Sequence, residues 1–300
     1  LKKRLFSSPE AFRTTLAKHV ESLANRRRAA QASPSTGLLR RMIDGLDEEV
    51  EVESDAEWDT AGDEAVTTAA SLFRPLNEEE AQVLDNLRAY ADRMSARGDS
   101  KLQALLAWLK QTLMPDGQWN ERRVILFTEY RATQKWLQER LVTAGFTGPG
   151  RVQLMYGGMP LEDREQVKNA FQASPAQSDV RILLATDSAS EGLDLQNHCS
   201  KLVHIEVPWN PNRMEQRNGR IDRHGQRQPQ VHIFHFVGQG YHQRSRLAQD
   251  TNPGDLEGDL EFLLRAARKV ETIREDLGKV GPVISRQVTE AMLGRRRSLD

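Results

Sequence analysis

Arg213, Gln216, Arg220 and Arg223 recur at i, i+3, i+7 and i+10 within PNRMEQRNGRIDRHGQ. On a helix that spacing sets three guanidiniums and a carboxamide along one face. A guanidinium is planar, permanently charged and able to fork onto two phosphate oxygens, so a row of them suits a polyphosphate. Pro211 fits a first helical turn and Gly225 a stop, which predicts a helix over 212–224. Gly219 inside it costs about 1 kcal/mol relative to alanine, implying that something approaches the backbone closely there. A solvated charged helix would carry the same pattern without any chemistry, so the residues ahead of it matter.

The loop before this helix, LLATDSASEGLDLQ, puts Thr186 and Asp187 at a strand end, then a Ser-rich turn, Glu191, Gly192 and Asp194. A hydroxyl and free backbone N–H groups there can hold a phosphate, and a carboxylate such as Asp194 can accept hydrogen bonds from ribose hydroxyls. An ordinary capped turn has the same composition. Metal chemistry is not expected: His198, Cys199, His204, His232 and His235 form no C-x-x-C or H-x-x-x-H pair, and His232 and His235 would point to opposite faces of a strand. Trp58, Trp108, Trp119 and Trp136 read as packing residues rather than base-stacking platforms.

The elements that must position these groups lie between residues 100 and 240. RVILFTEY, RVQLMY, VRILLAT, KLVHIEV and VHIFHFV are short apolar runs alternating with amphipathic helices, the signature of a parallel sheet covered on both faces. In such α/β sheets the working loops follow the carboxyl ends of the strands. Residues 1–99 read as a helical insertion, with helices from about Pro9, from 77 to 96 and, opening the next region, from 100 to 113. Within it, residues 44–64 carry many carboxylates and no basic residue, and read as a solvated, mobile linker. A partner-binding or DNA-mimicking segment is the alternative. Residues 241–300 read as a helical C-terminal bracket.

Three hundred residues give room for one large domain or two ordinary ones. A formal net charge of -1 argues against a protein that coats nucleic acid by bulk charge, although a local basic patch remains compatible with it. One cysteine precludes an internal disulfide and no apolar run approaches the roughly 20 residues of a membrane span, so a soluble protein of a reducing, cytoplasmic compartment is expected. The chain opens Leu-Lys-Lys-Arg, as an internal stretch of a longer protein would.

Taken together, VILFTEYRAT, YGGMPLEDREQVKNAF, ILLATDSASEGLDLQ and QRNGRIDRHGQ, in that order, resemble motifs of the second RecA-like lobe of superfamily 2 helicases and translocases. The Snf2-like group, with its RapA/HepA type and phage-defence (DISARM-type) helicases, is the nearest in pattern. The Q-x-x-G-R-x-x-R core is the most specific part. The resemblance implies that Arg220 and Arg223 are arginine fingers for ATP bound on another lobe, that Gln216 orients its γ-phosphate region, and that Gly192, Asp194 and Gly219 belong to the nucleotide edge. It implies nucleic-acid backbone contacts at Thr128, Gly157, Gly158 and Thr186, and seating of the arginine helix by Trp209 and Asn210. Many Snf2 proteins have Gly-Leu-Asn-Leu where this chain has Gly192, Leu193, Asp194 and Leu195, which speaks against the chromatin-remodelling branch.

No G-x-x-x-x-G-K-[ST] occurs, since Gly278 and Lys279 are followed by Val280, and Asp63-Glu64-Ala65 continues to Val66 within the acidic run. ATP and Mg²⁺ are therefore expected mainly on an N-terminal RecA-like lobe of the same parent chain. Duplex DNA is the track the resemblance favours. The other reading is a nucleic-acid or partner-binding module that keeps the fold without hydrolysing ATP.

Overall fold

A computed structural model describes residues 1–26, 74–187, 194–238 and 261–265, together with residues 55, 60, 62, 64, 66, 67 and 258. Its centre is a five-stranded sheet of β1 (Val124–Thr128), β2 (Val152–Met155), β3 (Ile182–Thr186), β4 (Lys201–His204) and β5 (His232–His235), ordered β2-β3-β1-β4-β5. Every neighbouring pair is parallel; Thr128 lies level with Thr186, and Phe127 level with Ala185 and His204. This register aligns the carboxyl ends of the strands along one rim. Both β1 and β3 are buried along their whole length, as continuous apolar runs between two helical layers must be.

The two faces form two cores. One packs Leu102, Leu105, Leu109 and Leu113 of α4 (Ser100–Leu113) and Trp136, Leu137 and Leu141 of α5 (Arg131–Thr143) on Val124, Leu126, Ile182 and Leu184. The other packs Val167 and Phe171 of α6 (Leu161–Gln172) with Leu195, Cys199 and Ile221 on Ile125, Phe127, Leu183 and Leu202. Successive strand residues thus serve opposite faces, as the two-residue strand period requires. Trp108 packs on Phe234 at 4.7 Å, Trp119 meets Phe146 edge-on at 5.9 Å, and Trp136 donates to the Ser95 carbonyl, in keeping with packing roles; Trp58 lies outside the described residues.

The insertion contributes α1 (Lys2–Ser7), α2 (Pro9–Arg26) and α3 (Glu78–Arg97). Asn77 and Glu80 close a reciprocal capping box on α3, and Asp99 caps α4 through the Leu102 N–H. Most of the acidic stretch lies outside the described residues, but Asp55 belies the expected solvated linker: it is helical and only 6% exposed. In the C-terminal region, residues 261–265 are helical and Leu263 and Leu264 are buried; apart from residue 258, the rest of the expected bracket lies outside the described residues. Among the described residues no helix is long and apolar enough to cross a membrane.

Candidate nucleotide and nucleic-acid sites at the strand ends

The arginine helix α7 covers Pro211–Asn218 and stops well short of residue 224. Asn210 caps it by accepting the Asn212 N–H at 2.9 Å, and Pro211 occupies the first turn. Gly219 is its C-cap, with φ -62, and the chain continues in turns. A Cβ at Gly219 would lie 3.3 Å from the Glu215 carbonyl oxygen. The close approach inferred from this glycine therefore comes from the helix's own carbonyl. Because the helix ends here, Arg213, Gln216, Arg220 and Arg223 do not share one continuous helical face.

Arg213 turns inward, with its guanidinium 3.5 Å from Glu129 and 3.9 Å from Asp187. Gln216 is exposed, Arg220 half-buried and Arg223 exposed. The turn carrying the last two is stitched to the loop after β3. Leu195 donates its N–H to the Arg220 carbonyl at 3.1 Å, and Arg223 pairs with the Asp194 carboxylate. Asp194 and Arg223, read separately as ribose and phosphate groups, are thus partners in this structure. Gly192 lies outside the described residues.

Arg217, which the spacing does not single out, is the most deeply engaged arginine of the helix at 1% exposure. It forks onto Asp187 at 2.5 and 2.9 Å, reaches Glu206 at 3.3 Å and donates to the Glu206 carbonyl. Its signal is present in the sequence: Met214, Arg217 and Ile221 fall at i, i+3 and i+7, and both apolar members are buried. A cation on a buried stripe requires acidic partners, and Asp187 and Glu206 stand at strand ends to supply them. The paired carboxylates hold the Arg217 guanidinium charged despite its burial, raising its pKa.

Around Glu206 the rim closes into a buried polar hub. Its carboxylate accepts from the Ser7 hydroxyl at 2.8 Å, the Thr128 hydroxyl at 3.0 Å, the Glu129 N–H at 2.6 Å and Arg217. Burial pushes the Glu206 carboxyl upward, while Arg217 opposes it. Glu129 is held lower: burial would raise it, but the charges of Lys3, Arg213 and Arg217 prevail. Lys101 clamps the end of α1, donating to the Phe6, Ser7 and Ile205 carbonyls. Thr128, expected at a nucleic-acid backbone, is fully buried beneath Ser7.

The other three residues expected at nucleic acid meet at the ends of β2 and β3. Gly157 and Gly158 turn the chain after β2, and Gly158 has φ 82, a left-handed conformation that favours glycine. Thr186 ends β3 and is fully buried. The Gly157 N–H and the Thr186 hydroxyl both donate to the same oxygen of Asp55, at 2.9 and 2.8 Å. Nearby, Arg131 lies over the Tyr156 ring at 3.5 Å and bonds Gln134, which reaches the carbonyls of Met155 and Leu184. The structure thus brings Gly157 and Thr186 together on Asp55.

Residues 101–225 match the family described as the helicase conserved C-terminal domain. The uncharacterized ATP-dependent helicase YqhH of Bacillus subtilis is 40% identical over 116 residues, covering 38% of this chain and 19% of that protein. The RNA polymerase-associated protein RapA of Sodalis glossinidius is 36% identical over 84 residues, covering 28% of the chain and 8% of RapA. Among solved structures, the C-terminal part of the Fun30 ATPase domain aligns with a TM-score of 0.40 and 16% identity, over 86% of this chain and 74% of that one. The fold is α/β and RecA-like, and residues 101–225 match a helicase C-terminal domain. Over this stretch the chain is similar to ATP-dependent helicases and to RapA, and it spans less than a fifth of the length of the two curated relatives.

Proposed function

We propose that this chain is the C-terminal motor lobe of an ATP-dependent translocase on nucleic acid, with duplex DNA as its track. ATP and Mg²⁺ bind between this lobe and an N-terminal RecA-like lobe, which supplies the phosphate loop and the metal-binding carboxylate. Arg220 and Arg223 reach the transferring phosphoryl group, where a finger is worth about 10³ to 10⁵ in rate. Gln216 orients the γ-phosphate region, and Gly192, Asp194 and Gly219 form the nucleotide edge. Gly157, Gly158 and Thr186 face the nucleic-acid backbone, which carries no sequence information and lets the lobe move along any track; Thr128, assigned the same role by the resemblance, is buried beneath Ser7 and supports this rim through Glu206 instead. Opening and closing of the cleft with each ATP moves the two lobes in turn.

The observation that carries this reading is the stitching of the arginine turn to the loop after β3 by the Leu195 to Arg220 bond and the Asp194–Arg223 pair. It sets the Arg223 guanidinium on the Asp194 carboxylate and ties the Arg220 backbone to the same loop, on the side of the sheet where α/β folds bind nucleotides. The pair opens to release Arg223 when phosphate arrives, since an exposed ion pair is worth about 1 kcal/mol or less. ATP turnover by a longer protein that carries this chain, measured with and without duplex DNA, tests the reading. Turnover should rise with DNA and drop at least about 10³-fold in Arg220→Ala. DNA-stimulated turnover that survives the substitution would remove the finger from the account.

A further inference from the structure

The acidic stretch meets the strand-end rim through Asp55, and the chemistry of that contact is specific. A single carboxylate oxygen accepts both the Gly157 N–H and the Thr186 hydroxyl. A glycine-turn N–H and a hydroxyl at a strand end are the neutral donors that hold a phosphodiester oxygen, and they do not discriminate between carboxylate and phosphate. Burial lowers the pKa of the nearby Arg131 guanidinium, and the charges of Tyr156 and Asp55 oppose that only in part. Asp55 is nearly fully buried there, and it arrives from a run, 44–64, that contains no basic residue.

We propose that the Asp55 carboxylate occupies the seat of a backbone phosphate, so that this side chain competes with nucleic acid for the lobe. The inference rests on the nucleic-acid reading above and deepens it: the seat at Gly157 and Thr186 is filled by an internal anion until a track displaces it. A phosphate cannot share the seat, because two anions on the same donors repel in a site shielded from water. The lobe therefore grips nucleic acid only as Asp55 withdraws, and the affinity measured for the intact chain is reduced by the cost of that withdrawal. A simple structural staple between the insertion and the sheet would use the same bonds but would not oppose binding.

Fluorescence anisotropy with a labelled duplex DNA of about 20 base pairs, over a series of salt concentrations, separates the two. Asp55→Asn keeps the side chain's shape and removes its charge; Asp59→Asn makes the same change in net charge elsewhere in the run. Asp55→Asn should bind about tenfold tighter than the unaltered chain, with Asp59→Asn close to the unaltered value. In the unaltered chain, addition of the duplex should speed hydrogen exchange in the peptide containing Asp55, a readout that needs no variant to fold. Binding that is unchanged or weaker in Asp55→Asn, or equal tightening by both variants, overturns the competition and leaves the nucleic-acid reading standing. Absence of binding by all three proteins, to duplex DNA and to single-stranded DNA and RNA alike, removes the nucleic-acid reading and the competition together.

Discussion

Arg217 and Arg223 both pair with carboxylates, yet their environments differ enough that substitution should affect them in opposite ways. Arg217 is 1% exposed and links Asp187 to Glu206, whereas the Arg223–Asp194 pair lies in solvent. Removing one member of a buried ion pair leaves an uncompensated charge, at a cost of about 3 to 5 kcal/mol. An exposed pair returns to water at about 1 kcal/mol or less. Arg217→Met should therefore lower the urea midpoint sharply, while Arg223→Met should leave it nearly unchanged and act on ATP turnover instead. Equal urea midpoints for the two variants would contradict the division into a structural and a working arginine. The sequence pattern around these positions was only half legible: the motif core marks this stretch as special, but assigning its arginines depended on where the helix stops. Gly219 ends it, and the extrapolated face therefore put Arg213 among the working side chains when it turns toward Glu129.

At the scale of elements, α7, β4 and β5 meet at His204. Its ring stacks on His235 at 4.6 Å; one nitrogen lies 2.9 Å from the Asn218 side-chain oxygen and the other 3.3 Å from Arg217. Arg217 can only donate, so Nδ1 accepts and Nε2–H donates to Asn218, which fixes a neutral ring. Burial, then the neighbouring His235 and Arg217, push the His204 pKa well below 6.5. The sign follows: the unfolded chain takes up a proton below about pH 6.5 and the folded chain does not, so stability falls as pH drops through that value. Glu206, whose pKa is raised, acts in the opposite direction, gaining stability as pH falls. A difference measurement isolates the histidine. Between pH 6.5 and 5.5, urea denaturation should show the unaltered chain losing about 1 kcal/mol relative to His204→Gln. A constant difference across that interval would show that His204 protonates in the folded protein.

The molecule as a whole was most legible where local pattern and tertiary role coincide. Apolar runs marked all five strands, most plainly β1 and β3, whose residues are buried throughout between two helical layers. What the pattern did not disclose was how the insertion meets the strand-end rim: α1 is six residues long, and Ser7 and Asp55 reach partners more than a hundred positions away. Contacts over such separations leave no periodicity to read. The same whole-chain view yields the last prediction. The sequence contains the arginines of the proposed reaction but no G-x-x-x-x-G-K-[ST], and in the scheme proposed above the β- and γ-phosphates that a finger must act upon are cradled by the other lobe. A finger stabilises charge only on a phosphoryl group already fixed in place, because positioning supplies the larger part of the barrier reduction. The purified 300-residue chain should therefore hydrolyse ATP no faster than Arg220→Ala, in a phosphate-release assay with or without DNA. Turnover well above that baseline, lost on mutation of Arg220, would place a complete catalytic site within this chain and overturn the division of labour between two lobes.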